Sequence, residues 1–161
     1  MRKRTYFLDH PRDGWPDLAW LKPNFLTTEG RKEAFGEQES WGLGIDGLDG
    51  TQDLLPRTGR IDLDLHIQGD PHYGILLCWS VRGGGRSERK YSLGHVLRMN
   101  RWLRSGQGDR RPVGLFIPFE AAWLATQEFI LREGTLPRCV AWIDERSLPA
   151  DAFVDPDDRW R

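Results

Sequence analysis

The chain has 161 residues, of which 39% are hydrophobic and 29% charged, with a formal net charge of −1. That length fits one folded domain, and eight Trp, seven Phe and three Tyr argue against a disordered tail. No run of about 18 apolar residues occurs, which excludes a helical membrane span, while ten prolines and eighteen glycines predict short elements and many turns.

The opening "MRKRTYFLDH" is basic for four residues, but charged and Pro-containing residues follow where a secretory leader needs its apolar stretch. A cytoplasmic protein is therefore expected. Up to residue 60 the pieces "TYFL", "LAWL" and "NFLTT" are separated by turn chemistry in "DHPRDGWPD" and "KPN", so this part reads as irregular, with a short helix over "EGRKEAFGEQ". "GLGIDG", residues 42–47, matches the dinucleotide-binding pattern, but no clean helix follows it, so that function is rejected. The same run fails as a calcium loop, because Leu48 and Gly50 stand where oxygen donors are needed.

From Ile61 the pattern sharpens. "IDLDLHIQ" alternates Ile61, Leu63, Leu65 and Ile67 with Asp62, Asp64, His66 and Gln68, which predicts a strand with one buried and one polar face. "GDPH" turns the chain, "YGILLCWSV" reads as a more continuously apolar strand, and "RGGGRSER" then leads into "KYSLG". The three glycines lie between two strands, so a hairpin tip is expected rather than a phosphate cradle, although its basic residues leave a binding loop open. "LGHVLRMNRWLR" has a near-helical spacing but also fits a strand, and "VGLFIP" reads as a compact apolar strand. "FEAAWLATQEFILREG" is the clearest helix, about 119–133, with Pro118 at its start, Glu120 in the first turn and Gly134 past its end. "RCVAWI" returns as a strand, and 144–161 form an acidic tail. The expected fold is α+β: a single domain with a mainly antiparallel sheet from about residue 61 onward and one long helix on one face.

Charge is segregated along the chain. Residues 37–70 hold eight acids against Arg57 and Arg60, whereas residues 82–111 hold nine bases against Glu88 and Asp109. The blocks either form faces of opposite sign or neutralise each other within the fold. Asp62, Asp64 and His66 project from one strand face at a period of two, which suits an ordinary solvent face, an acidic recognition ridge, or a small metal-dependent or acid–base site. The remaining histidines, His10, His72 and His95, show no ligand spacing. No serine lies in a nucleophile elbow, and Cys78 and Cys139 sit in apolar runs, where free buried thiols are expected. No cofactor or metal is called for. Trp79, Trp123 and Trp142 fall on expected core elements, and Trp15, Trp20, Trp41 and Trp160 are the tryptophans offered to a partner.

The stretch "VGLFIPFEAAWLATQEFILREGTLPRCVAW", residues 113–142, resembles the C-terminal part of the first family of bacterial immunity proteins from polymorphic toxin systems. The resemblance is carried by Glu128, Phe129, Gly134, Pro137, Val140 and Trp142, which would be framework residues. It implies a small cytoplasmic α+β protein, not an enzyme, that binds a cognate toxin domain, often a deaminase or nuclease, and covers its active site. Direct nucleic-acid binding through the 82–111 arginines is disfavoured by a pI near 6.4 and the lack of a recognised motif. Asp46, Asp49, Asp62, Asp64, His66 and Trp41 are the expected contacts to a basic toxin cleft, and Arg86 and Arg89 to an acidic toxin surface.

Overall fold

The structure, a computed structural model, describes residues 1–6, 8, 13–36, 40–51, 59–105 and 108–154. In chain order they form β1 (Arg2–Tyr6), α1 (Leu18–Leu26), α2 (Thr28–Phe35), β2 (Ser40–Asp46), β3 (Asp62–Asp70), β4 (Gly74–Gly83), β5 (Arg86–Ser92), β6 (Trp102–Arg104), β7 (Arg110–Pro112), α3 (Phe119–Leu131) and β8 (Trp142–Asp144). Six strands make one antiparallel sheet in the order β1-β2-β3-β4-β5-β8, and β6 and β7 form a separate hairpin. The α+β expectation is met, but with three helices instead of one long helix. The stretch up to residue 60, expected to be irregular, contains two sheet strands and two helices.

The core lies between one sheet face and the three helices. Trp41, Leu43 and Ile45 of β2, Leu63, Leu65 and Ile67 of β3, and Ile75, Leu77, Trp79 and Val81 of β4 alternate onto that face and are buried. Helix α3 meets them with Phe119, Ala122, Trp123, Thr126 and Phe129, whose three- and four-residue spacings put them on one helical face. Helix α1 contains Pro23, which removes a helical N–H, yet Leu21 and Phe25 are fully buried and hold it on the core. Phe25 packs edge-on against Trp41, with ring centroids 5.9 Å apart.

Residues 119–142 are knit together, and tied to β4, by hydrogen bonds. Glu128 of α3 accepts the backbone N–H groups of Arg138 (3.0 Å) and Cys139 (3.2 Å). The Trp79 indole donates to the Gly134 carbonyl at 3.0 Å, and the Trp142 indole to that of Pro137 at 2.7 Å. Gly134 takes φ +86, a backbone conformation that glycine adopts freely. Because Glu128 draws residues 138–139 toward the helix, the expected strand over "RCVAWI" shortens to β8 and Cys139 is exposed, not buried.

Two other expectations change. Val113–Leu115 is a 3₁₀ turn rather than a strand, leaving Ile117 as a single bridge to Ile75. Val96–Arg98 is also one 3₁₀ turn, with Val96 and Leu97 exposed, and β6 follows it. On the second sheet face these pieces bury a smaller cluster of Leu76, Tyr91, Leu115 and Phe116. The Ser92 hydroxyl there accepts the Leu77 N–H (2.9 Å) and donates to the Leu115 carbonyl (2.7 Å), which satisfies a fully buried polar group. The "RGGGR" segment is the expected hairpin tip: Gly84 and Gly85 join β4 to β5 with φ +57 and +79, as the primed two-residue turns require.

Candidate functional site

The small second cluster covers only part of the sheet's second face. The rest is a cleft of about 460 Å³ whose floor is β3 and β4. Its residues follow from the pleat. Opposite the core-facing positions stand Asp62, Asp64, His66 and Gln68 of β3, and the register sets Cys78 beside His66, Ser80 beside Asp64 and Arg82 beside Asp62. Strand β5 adds Arg89 beside Ser80 and Tyr91 beside Cys78, while β1 sets Arg4 beside Gly44 and Tyr6 beside Gly42.

The "GLGIDG" glycines have a structural purpose here. A methyl group on Gly42 would lie 2.2 Å from the Tyr6 ring, and one on Gly44 would lie 2.7 Å from the Asp64 carboxylate. Bare backbone at these positions lets the β1 side chains lie flat across β2. Tyr6 thereby reaches His66, with ring centroids 6.3 Å apart and planes inclined by 22°. Arg4 reaches two carboxylates, Asp46 at 3.0 Å through Nε and Asp64 at 3.1 Å through Nη2.

Asp62, Asp64 and His66 do share one face, as the alternation predicts, but the acidic ridge does not form as a free surface. Asp46 and Asp64 both bind Arg4. Asp62 accepts from Arg60 at 2.9 Å and from the Gly47 N–H at 3.1 Å. Asp46 and Asp64 thus close ion pairs from β2 and β3 to β1, Asp62 closes one with Arg60 just ahead of β3, and only Asp49 of the expected acidic contacts is exposed. Trp41 is corrected as well, since it lies fully inside the core and offers nothing to a partner. Trp15 is half-buried and donates to the Gly44 carbonyl at 3.0 Å. Trp20 is exposed, and His10 and Trp160 lie outside the described residues.

Burial sets the protonation of the floor. It lowers the His66 pKa, with nearby Arg111 acting the same way, and pushes the Cys78 thiol up to about 11. It also raises the Tyr6 phenol, and it raises Asp64 against the opposing pull of Arg4 and Arg82. At neutral pH the floor presents a neutral imidazole, a thiol and a hydroxyl. Among the described residues, no group of three His, Cys, Asp or Glu side chains is placed to hold a metal ion.

The rim is cationic. Arg82 from β4, Arg89 from β5 and Arg111 from β7 line the cleft, with Glu145 and Phe153 at its far side. Arg89 pairs loosely with Glu145 at 3.4 Å, and Arg86, which points to the other face, pairs with Glu88 at 2.8 Å. Arg111 donates to the Arg110 carbonyl and lies over the Phe153 ring. Among the described residues, neither Arg82 nor Arg111 has a carboxylate partner. Sequence reasoning reached Arg82 only as the start of the basic Arg82–Lys90 segment and missed Arg4, Tyr6, Cys78 and Arg111 as site residues. Only β4 carried a signal, the polar alternation of Cys78, Ser80 and Arg82 inside an apolar run.

Among the described residues, no helix is long and apolar enough to cross a membrane. Compared with family models, curated proteins and solved structures, the chain matches none.

Proposed function

We propose that this chain is a cytoplasmic immunity protein that binds a cognate toxin domain and covers its active-site cleft, using the open face of its sheet. The observation that carries the reading is where charge is consumed on that face. Asp46, Asp62 and Asp64 are occupied by Arg4 and Arg60, whereas Arg82 and Arg111 at the cleft rim hold no carboxylate among the described residues. Such a surface is preorganised to meet a complementary charge on another molecule. The contact therefore shifts from the acidic residues to the arginine rim, and an acidic toxin surface becomes the partner.

The alternative enzyme centred on Asp62, Asp64 and His66 is less well supported. General acid–base work needs a group free to exchange a proton with substrate, and both carboxylates are engaged by guanidinium groups within the sheet. The framework residues Glu128, Gly134, Pro137 and Trp142, which carry the resemblance to immunity proteins, are used to join α3 to the sheet. They leave the opposite sheet face to do the binding.

The test is calorimetric titration of the purified protein against the C-terminal domain of the large secreted protein encoded beside it. One-to-one binding in the nanomolar range, weakened by added salt, is expected. Absence of binding, together with no rescue of cells expressing that domain, overturns the proposal.

A further inference from the structure

Among the described residues, the cations lining the cleft are not all ion-paired. Among the described residues two carboxylates line the cleft: Asp64 shares Arg4 with Asp46, and Glu145 pairs with Arg89. Arg82 and Arg111 close no ion pair among the described residues. They enter from different elements, β4 and β7, and each acts on a floor group, Arg82 on Asp64 and Arg111 on His66. The Tyr91 and Phe153 rings also line the cleft and pack 5.2 Å apart, centroid to centroid, with Arg111 over the Phe153 ring.

We propose that this cleft is a receptor for one acidic side chain of a partner protein, an Asp or Glu whose carboxylate is held by Arg82 and Arg111 while its methylene stem packs on Tyr91 and Phe153. The inference rests on the reading of the chain as a protein-binding immunity protein and adds the chemistry of the contact. A guanidinium's planar fork matches a carboxylate, and charge-assisted hydrogen bonds of this kind are among the stronger ones at a protein surface. A nucleic-acid backbone fits less well. Asp64 and Glu145 would repel successive phosphates, and a chain of net charge −1 has little long-range attraction for a polyanion.

The probe is a hexaglutamate peptide, titrated into ¹⁵N-labelled full-length protein and compared with a hexauridine oligonucleotide and with inorganic phosphate. Saturable peptide-induced shifts of the Arg82 and Arg111 Nε–H signals and of the His66 ring are expected, with weaker or no effect from the other two probes. Arg82→Gln and Arg111→Gln should each weaken the peptide by about tenfold, and Arg98→Gln, on the exposed 3₁₀ turn, should leave affinity unchanged. The proposal is overturned if the oligonucleotide or phosphate saturates the cleft and the peptide does not. It is equally overturned if the peptide shifts Arg98 as much as Arg82, because the attraction is then diffuse. The wild-type shifts do not depend on the variants folding. Failure here is distinct from failure of the immunity reading: a toxin domain bound equally well by wild type and by Arg82→Gln and Arg111→Gln variants sinks the receptor alone. Peptide binding in the cleft with no toxin binding sinks the immunity reading alone.

Discussion

Arg4 on β1 reaches across the bare backbone of Gly44 to grip Asp64 on β3, Nη2 to Oδ1, at 3.1 Å. The same guanidinium holds Asp46 through Nε, so one edge-strand cation bridges two carboxylates on the neighbouring strands. Asp46 and Asp64 are thereby held within the sheet, and the cleft beside them is rimmed by Arg82, Arg89 and Arg111.

Replacing Arg4 by Met should therefore destabilise the protein by about 2 kcal/mol. The loss stays below that for a fully buried pair, because the Arg4 side chain keeps 34% of its exposure. Urea denaturation measures it through the midpoint. An unchanged midpoint would mean that the pair is solvated and contributes nothing. Asp64→Asn in the same background should restore part of the loss, since the double change removes one of the two carboxylates left without Arg4.

Gly42→Ala tests how the cleft is built. Its methyl would meet Cζ and Oη of Tyr6 at 2.2 Å, and because these atoms end a side chain with two rotatable bonds, the ring should swing aside rather than the sheet break. The expected result is loss of the ring-current shift on the His66 ring protons, with a stability change of less than about 1 kcal/mol. A retained His66 shift would show that Tyr6 is held by more than the space above Gly42.

Trp41→Ala separates core from contact. The indole is fully buried and touches Phe25 and Phe35, so truncation should cost about 3–5 kcal/mol. Partner affinity of the folded fraction should be unaffected. A variant of normal stability with weakened toxin binding would return Trp41 to the interface.

What was legible in the sequence follows from the range of each signal. The alternation over residues 61–68 placed Asp62, Asp64 and His66 on one face because a strand's period of two is set by local geometry. Helix α3 was equally plain, since its buried face repeats at three and four residues and Pro118 and Gly134 mark its ends. Strand β2 was hidden because its outward positions are Gly42 and Gly44, needed for Tyr6 and Arg4 to cross, and an apolar–glycine alternation reads as a loop. Pro23 likewise masked α1, whose hold on the core through Leu21 and Phe25 is tertiary. The cleft itself draws Tyr6, His66, Arg82 and Arg111 from four strands, and no local spacing encodes that meeting.

Glu128 gives a prediction in pH. The backbone N–H of Arg138 lowers its carboxyl most, and bonds from Cys139 and Arg132 act in the same direction, holding the pKa at about 2 against an ordinary 4.5. A carboxylate whose folded pKa lies below its unfolded value binds fewer protons when folded, so stability rises with pH between the two values. The contribution of Glu128 is fully present above pH 4.5 and is lost as pH falls through about 2. Glu128→Gln should lower the melting temperature at pH 6, and the gap to wild type should close as both are acidified through that window. A carbon-detected titration of Glu128 should report the depressed pKa directly. If the carboxyl titrates near 4.5 and the two melting curves stay parallel, Glu128 is not what draws residues 138–139 onto α3.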